Sequence, residues 1–514
     1  MKTNNRYSRL AANTLILAVG QFGSKFLVYL MMRFYTGALS DSGYGAVSNI
    51  VNASTLSMAL CTLSVGEAVI SFGLDSRYDN RQVFRIALFS TLAGLIVFSP
   101  LIQLLGFVDF LSQYTGLITI YVITGSIKST LALFVRSSGH VKLFALDGII
   151  TTVNNVLLNL LLLGVFHTGV AGYVFSVVIA DVFSIIFLTV SAKLWRQLRF
   201  IRAESAATAE ASPAGTAIRR KGGKPAHMVT YKPYFDKDTA IRMLAFAVPM
   251  IPTAVMWWVT GVSDGFFVTA LLGVSVNGVY MAAYKLPNII SLVSGIFSQA
   301  FNMSAVTESG SDRKARSAFY TNVFGVYMPV VYIMAAGLML VIRPALSVMT
   351  SAEFSEAYAY TPFLTFSVIF TCFSSFMGSV YVASKKSVRS LSTAAAGAVV
   401  NLILNALTIP YFGAQGAAAA TFVSYALVYA LRRTDAQNYV DIKINKRLML
   451  LNTLLMFDMG LVLTRELGSS ARPSLWYYGT LAGLFLAVCA ANADTLLRLL
   501  RAGRKRFAVA KVKT

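Results

Sequence analysis

The sequence predicts an all-α, polytopic membrane protein of about fourteen transmembrane helices, arranged as two parallel-repeat six-helix bundles plus two C-terminal helices. Three observations carry that class. Of the 514 residues 56% are hydrophobic and only 13% charged, about half the charged share of a soluble domain, so the chain needs lipid as its solvent. The apolar residues fall into runs of about twenty, the length a helix needs to cross hydrocarbon. The two halves also repeat a spaced set of asparagines and glycines.

In chain order, the first run, 10–35, follows Lys2, Arg6 and Arg9. No small-residue cleavage site follows a short apolar core, so this run is expected to stay as a helix. Runs 45–73, 84–107, 114–136, 142–165 and 170–194 complete a first bundle over 1–194. The stretch 195–239 interrupts the pattern. Eleven lysines and arginines fall between Lys193 and Arg242, and Glu204 to Gly223 is rich in Ala, Ser, Thr and Gly, with Pro213 inside. That composition reads as a basic linker. The second bundle, 240–434, holds 240–262, 277–303, 317–343, 358–383, 390–411 and 415–433. Runs 447–465 and 475–497 stand outside the repeat and, with a basic tail, fill 435–514.

The charges set the orientation. Of the 44 lysines and arginines, Arg33, Arg343, Arg465 and Arg472 lie in loops opposite the N-terminus, and Lys25, Lys128 and Lys285 lie inside runs. All the others lie on the side of the N-terminus. Positive charge holds loops in the cytoplasm, so both termini and the linker are expected there, in a bacterial cytoplasmic membrane. The opposite loops are too short for an external catalytic domain. A net charge of +23 would point a soluble chain toward nucleic acid; placed at helix ends it sets topology, and no nucleic-acid partner is expected. Its basic ends would attract anionic membrane lipids.

Cys61, Cys372 and Cys489 are far apart in apolar runs and read as core thiols. There is no nucleotide loop and no His/Cys ligand set, so no enzyme activity, cofactor or metal is expected. A coupling ion is left unassigned; Glu67, Asp147, Asp181, Asp264 and Asp458 are the acids available to one.

The repeat is specific in its spacing. Asn155-Val-Leu-Leu-Asn159, followed by Gly169 and Gly172, matches Asn401-Leu-Ile-Leu-Asn405, followed by Gly413 and Gly416. Six helices separate the copies, so both share one orientation. Parallel repeats of this kind build alternating-access transporters with the path between the halves; small-residue packing between helices would leave a looser pattern.

Charge inside a membrane is expensive and points to a cavity or a partner. In the first run Gln21, Lys25, Tyr29 and Arg33 recur at steps of four, on one face of a helix. Tyr121, Thr124 and Lys128 form a similar face in the fourth run. Thr253, Trp257, Thr260 and Asp264 do so in the seventh, and Tyr284, Asn288, Ser291 and Gly295 in the eighth, with Lys285 at its edge. Lys25, Lys128 and Lys285 are the expected binding cations, with Gln21, Tyr29, Arg33, Glu67, Trp257, Asp264, Tyr284 and Asn288 around them. The plainer alternatives are a Lys25–Glu67 bridge, a Lys285 that snorkels to the surface and an Arg33 that anchors its helix end. Pro249, Pro252 and Pro287 break backbone bonds and mark either hinges between bundles or static kinks.

Several motifs together resemble a known family. The run from Asn13 through Gly20-Gln-Phe-Gly-Ser-Lys25, then Tyr35-Thr-Gly-Ala-Leu-Ser40 and Tyr44-Gly45, is similar to the start of Wzx-type oligosaccharide flippases. Gly66-Glu67-Ala68, Phe134-Val-Arg136, Ala145-Leu-Asp147-Gly148, Pro249-Met-Ile-Pro252, Trp257-Trp258, Ser263-Asp264, Gly278 to Lys285 and the Asn401 repeat extend the likeness over nearly the whole chain. These flippases belong to the multidrug, oligosaccharidyl-lipid and polysaccharide (MOP) exporter superfamily. The resemblance implies two bundles around a cationic cavity that moves undecaprenyl-pyrophosphate-linked oligosaccharide from the inner to the outer leaflet for surface polysaccharide. It also implies glycosyltransferases and a polysaccharide polymerase as partners. The pattern departs at Arg33, where a proline is expected, and at Gly265, where a basic residue is expected. A lipid II-type flippase, a cation-coupled drug exporter and a membrane-embedded glycan polymerase are the alternatives.

Overall fold

The computed structural model describes residues 31–75, 77–198, 235–307, 312–384, 386–465, 475–497 and 501. Among them every regular element is helical. The helices are α1 (Met32–Ala38), α2 (Asp41–Cys61), α3 (Val65–Gly73), α4 (Asn80–Phe98), α5 (Thr115–Ser137), α6 (Val141–Asn159), α7 (Gly169–Ser191) and α8 (Lys237–Ala247). They continue as α9 (Met250–Leu272), α10 (Val274–Lys285), α11 (Asn288–Thr307), α12 (Arg313–Met349), α13 (Thr361–Ala383), α14 (Ser387–Ala436), α15 (Lys446–Arg465) and α16 (Leu475–Ala491).

Nine helical stretches among the described residues are long and apolar enough to cross a membrane, ten if the bent α2–α3 pair is one span. Most of the first expected run lies outside the described residues. The count is lower than the sequence suggests for three further reasons. The eighth run is broken into α10 and α11. The eleventh and twelfth runs are fused in α14, whose non-helical Gly413 (φ 59°) divides it. The last run is the short α16.

Breaks follow local chemistry. Pro249 stands between α8 and α9, at the N-cap of α9, where its missing N–H costs nothing. Pro252 falls in the first turn of α9 and leaves that helix intact. Pro287 stands between α10 and α11. Gly273 alone links α9 to α10 with φ 99°, a left-handed value that favours glycine. The bend of 57° between α2 and α3 runs through Leu63 and Ser64, both with positive φ.

Packing shifts one expected boundary. The sequence reading starts the second bundle at 240, yet Ala240, Met243 and Ala247 of α8 join the core formed by Val65, Val69, Phe84 and Phe134 of α3, α4 and α5. The backbone N–H of Asp236 also donates to Gln82 Oε1 at 3.0 Å. By its packing α8 belongs with the first half, and the change of partner comes at Pro249. The largest core joins α12, α13, α15 and α16, through residues such as Tyr332, Phe373, Met456 and Leu481.

Candidate functional site: a cavity between the halves

A cavity of about 450 Å³ is lined from both halves. Tyr35, Tyr44, Asn52 and Tyr173 come from α1, α2 and α7, and Asp264, Tyr284, Lys285 and Asn288 from α9, α10 and the start of α11. The break at Pro287 places Lys285 and Asn288 on this wall. Lys285 is exposed to the cavity, and no carboxylate lies within salt-bridge distance of it among the described residues.

Asp264 is 1% exposed and is held by neutral donors. Tyr280 Oη donates to it at 3.0 Å, Asn401 Nδ2 at 3.3 Å and Asn405 Nδ2 at 3.1 Å, and Thr421 Oγ1 donates as well. The second asparagine pair of the repeat is therefore the shell of a buried carboxylate. Asn405 Oδ1 is buried there without a hydrogen-bond partner among the described residues. An unpaired oxygen beside a carboxylate suits a proton or a hard cation, which oxygen ligands hold. In the first half, Asn159 Nδ2 donates to the carbonyl of Asn155 at 2.8 Å and to its side-chain oxygen. Asp147 there accepts from Ser184 Oγ at 2.6 Å.

One end of the cavity, the end bearing Gly273, is shut. A Cβ on Gly45 of α2 would lie 2.1 Å from the carbonyl oxygen of Val274, and one on Gly278 of α10 would lie 2.0 Å from that of Asp41, so the two backbones touch. Asn49 Nδ2 donates to Thr269 Oγ1 at 2.9 Å and Asn277 Nδ2 donates to Asn49 Oδ1 at 3.0 Å, all buried. Ser275 Oγ donates to Asp41, and Ser351 Oγ donates to the Thr36 carbonyl at 2.9 Å. Arg33 donates to the carbonyls of Ser347, Val348 and Thr350 at 3.1–3.2 Å, capping the C-terminus of α12.

The predicted site residues separate into groups. Lys285, Asp264, Tyr284 and Asn288 meet in the cavity. Gln21, Lys25 and Tyr29 lie outside the described residues. Arg33 does not line the cavity; it clamps the Gly273 end. Lys128 does not join Lys285: its ammonium lies 2.8 Å from Asp181 Oδ1, within the first half, because a lysine on α5 facing an aspartate on α7 is cheaper paired than free. Glu67 and Trp257 line a separate cavity of about 440 Å³ with Thr253 and Ser64. At Gly265, the other departure, a Cβ would lie 2.3 Å from Met281 Cε and 3.1 Å from Asn277 Oδ1, both ends of side chains.

Sequence reasoning missed Tyr35, Tyr44, Asn52 and Tyr173 as cavity residues. It also missed Arg432, which is 2% exposed. Its guanidinium donates to Thr393 Oγ1 (3.0 Å), the Ser374 carbonyl (3.1 Å), and the carbonyl and Oγ of Ser390 (3.3 and 3.2 Å). The Arg-Arg doublet at 432–433 was a signal, but its place at a run's end read as topology.

No protein-family model matches the chain, and no curated protein matches it by sequence. Solved structures do match in fold. An inward-facing multidrug resistance MATE family transporter of the MOP superfamily aligns with TM-score 0.62 at 12% identity, over 82% of this chain and 98% of its own. The lipid II flippase MurJ, in an inward closed conformation, aligns with TM-score 0.59 at 14% identity, over 95% of this chain and 99% of its own. A MOP superfamily transporter from Pyrococcus furiosus, described by the reverse polarity of its binding pocket, aligns with TM-score 0.56 at 12% identity over 83% and 96%.

Proposed function

We propose that this chain, which has the fold of MOP-superfamily transporters, moves an undecaprenyl-pyrophosphate-linked oligosaccharide across the bacterial cytoplasmic membrane by alternating access. The observation that carries the reading is Lys285, a cation exposed in a cavity walled by tyrosines and asparagines from both halves. A pyrophosphate cannot cross hydrocarbon unpaired, and an ammonium in the path offsets that cost. Tyrosine rings and side-chain amides suit sugar rings and hydroxyls, while the lipid tail stays in the bilayer. Lys25, on the first run, is a second candidate cation for the same head.

The expected topology puts the shut Gly273 end outside, so this conformation would receive substrate from the cytoplasm. Asp264 supplies a means of coupling. Its proton or bound cation bears on Tyr280, which it accepts from, and Tyr280 stands two residues from Gly278 in the shut contact. A change at Asp264 thus reaches the closed end through one helix, α10. A lipid II-type precursor is the second reading, favoured because MurJ covers 95% of this chain where the drug exporter covers 82%.

The test is flipping of a fluorescent polyprenyl-pyrophosphate oligosaccharide in proteoliposomes. Lys285→Ala should abolish it, since leaving an anionic head unpaired costs on the order of 2–5 kcal/mol, and Lys285→Arg should retain more. Full flipping by Lys285→Ala at normal incorporation would place the site elsewhere. A reporter fused at the C-terminus should read cytoplasm and one at Glu353 the outside; the reverse pattern would invert the direction.

A further inference from the structure

Positive charge is scarce on the side of the Gly273 end. The basic residues expected there are Arg33, Arg343, Arg465 and Arg472, and two of those four line one cavity, of about 600 Å³. Arg33 comes from α1 in the first half and Arg343 from α12 in the second. Ser347 and Thr350 at the end of α12, with Ser355 and Glu356 of the 3₁₀ turn Ala352–Tyr360, add polar groups. Membrane topology keeps lysine and arginine off this side, so it does not account for two cations in one cavity. Arg33 is also a position at which the chain departs from the family pattern.

Arg33 has capacity left. A single nitrogen, Nη1, serves all three of the α12 carbonyls, at 3.1–3.2 Å. Those lengths lie at the long end of the N–H···O range, and the protons on one nitrogen are shared among more acceptors than they can serve singly. Among the described residues Nε and Nη2 make no hydrogen bond, and no carboxylate pairs with this guanidinium. Arg343 lies over the rings of Tyr358 and Tyr477, its guanidinium carbon 4.8 and 5.6 Å from their centres, which orient it. Glu356 is the carboxylate in the lining, and against two arginines it leaves a net positive charge. Glu353 nearby is engaged elsewhere, accepting from the Asp41 N–H at 3.3 Å. The Tyr44 and Phe354 rings, edge to face at 5.6 Å, separate this cavity from the Lys285 one, Phe354 lining the first and Tyr44 the second.

We propose that this cavity binds a phosphate-class anion, and that the bound anion draws Arg33 off the α12 carbonyls and so loosens the Gly273 end. A phosphate takes paired N–H donors from an arginine fork, in bonds roughly twice as strong as those to neutral carbonyls. The Ser355 hydroxyl can donate to the same anion. The carbonyls that Arg33 leaves belong to a helix end beside exposed residues, where water can serve them. Because Arg33 ties α1 of the first half to α12 of the second, its release removes a bond between the halves. Free phosphate or diphosphate and the headgroup of an anionic lipid share this chemistry. The site stands on Arg33 and Arg343 and is independent of the role proposed for Lys285.

The test uses the full chain in phosphatidylcholine nanodiscs, with Lys285→Ala so that the first cavity adds no binding. Inorganic pyrophosphate is the soluble probe, followed by calorimetry; phosphatidylglycerol mixed into the nanodisc is the lipid probe. A spin pair on Ala38→Cys and Val348→Cys, both exposed, reads the distance between α1 and the end of α12, with the half-buried Cys489 changed to Ser. Binding of either probe should lengthen that distance. Arg33→Gln should weaken pyrophosphate binding roughly tenfold or more, the loss expected of hydrogen bonds to a charged group, and should end the response of the spin pair to both probes. Ser355→Glu, at an exposed position outside the Arg33–carbonyl contacts, sets a carboxylate in the cavity and should weaken binding alike.

A response to pyrophosphate in pure phosphatidylcholine supports the site with a soluble anion as its ligand. A response to phosphatidylglycerol alone supports it with a lipid headgroup. No response to either probe overturns the proposal, as does pyrophosphate binding that survives both Arg33→Gln and Ser355→Glu, since the anion then sits elsewhere. Binding that depends on Arg33 while the spin distance stays fixed overturns the loosening of the closed end.

Discussion

The guanidinium carbon of Arg432 stands 4.9 Å from the centre of the Trp257 ring and 5.8 Å from that of Tyr381, and no carboxylate forms a salt bridge with it among the described residues. Among the described residues its charge is met by rings, hydroxyls and carbonyls. A Cβ on Gly378 would lie 2.6 Å from Nη1, so the arginine also depends on a missing side chain. The planar fork reaches α13 through Ser374 and the start of α14 through Ser390 and Thr393, a reach that a point charge does not reproduce.

Arg432→Lys should therefore destabilise almost as much as Arg432→Ala, on the order of 2–4 kcal/mol from lost contacts and orphaned carbonyls. Thermal unfolding in detergent measures it. Wild-type stability in Arg432→Lys would mean that charge alone matters at this position.

Lys128 and Asp181 make a partly buried pair. Lys128→Ala strands a carboxylate that is 7% exposed, and the cost belongs at or below the low end of the roughly 3–5 kcal/mol for breaking a buried pair, since Lys128 itself is partly solvated. The Lys128→Ala, Asp181→Ala double variant should recover most of that loss and still transport. If it is stable but inactive, the pair takes part in transport and is more than a brace.

Gly278 sets the closed end. Gly278→Val must force α10 away from the Asp41 carbonyl, at about 1–3 kcal/mol for overpacking. A cysteine replacing Ser48, on the cavity wall, should react faster with maleimide in this background than in a wild-type one. Equal rates would show that the contact does not hold that end shut.

Asp264→Asn preserves shape and removes charge. The wild type should gain stability with the coupling ion, by about 2.7 kcal/mol at a hundredfold excess over Kd, whereas Asp264→Asn should be flat across sodium concentration and keep only the pH dependence of the other buried acids. The readout is the unfolding temperature. An ion response that survives the substitution would remove Asp264 from the coupling site.

Much of the architecture was legible in the residues because lipid leaves the backbone few choices: apolar runs become helices, and Pro249 and Pro287 fall at observed breaks. Lys285 was legible for the same reason, being a charge that lipid would not tolerate. The shell of Asp264 was half legible. Asn401 and Asn405 stood out as a repeat, but their acid lies 137 and 141 residues away in sequence, and no spacing rule joins them. The placement of α8 with the first half was hidden because an apolar face does not name its partner. Gly45 and Gly278 were quoted only as family motifs; their contact depends on a crossing of α2 and α10 that neither helix encodes alone.

Gly273 joins α9 to α10, and Gly413 divides α14, each as a single residue. One residue of chain spans at most about 3.6 Å, so the arms it joins cannot part at that end. Each pair is a set of tongs pivoted at one tip. The arms spread only at the far tip, and any opening of the near end must swing both arms as one piece. The Asp264–Tyr280 bond bridges the same two arms, α9 and α10, and holds them together beyond the pivot.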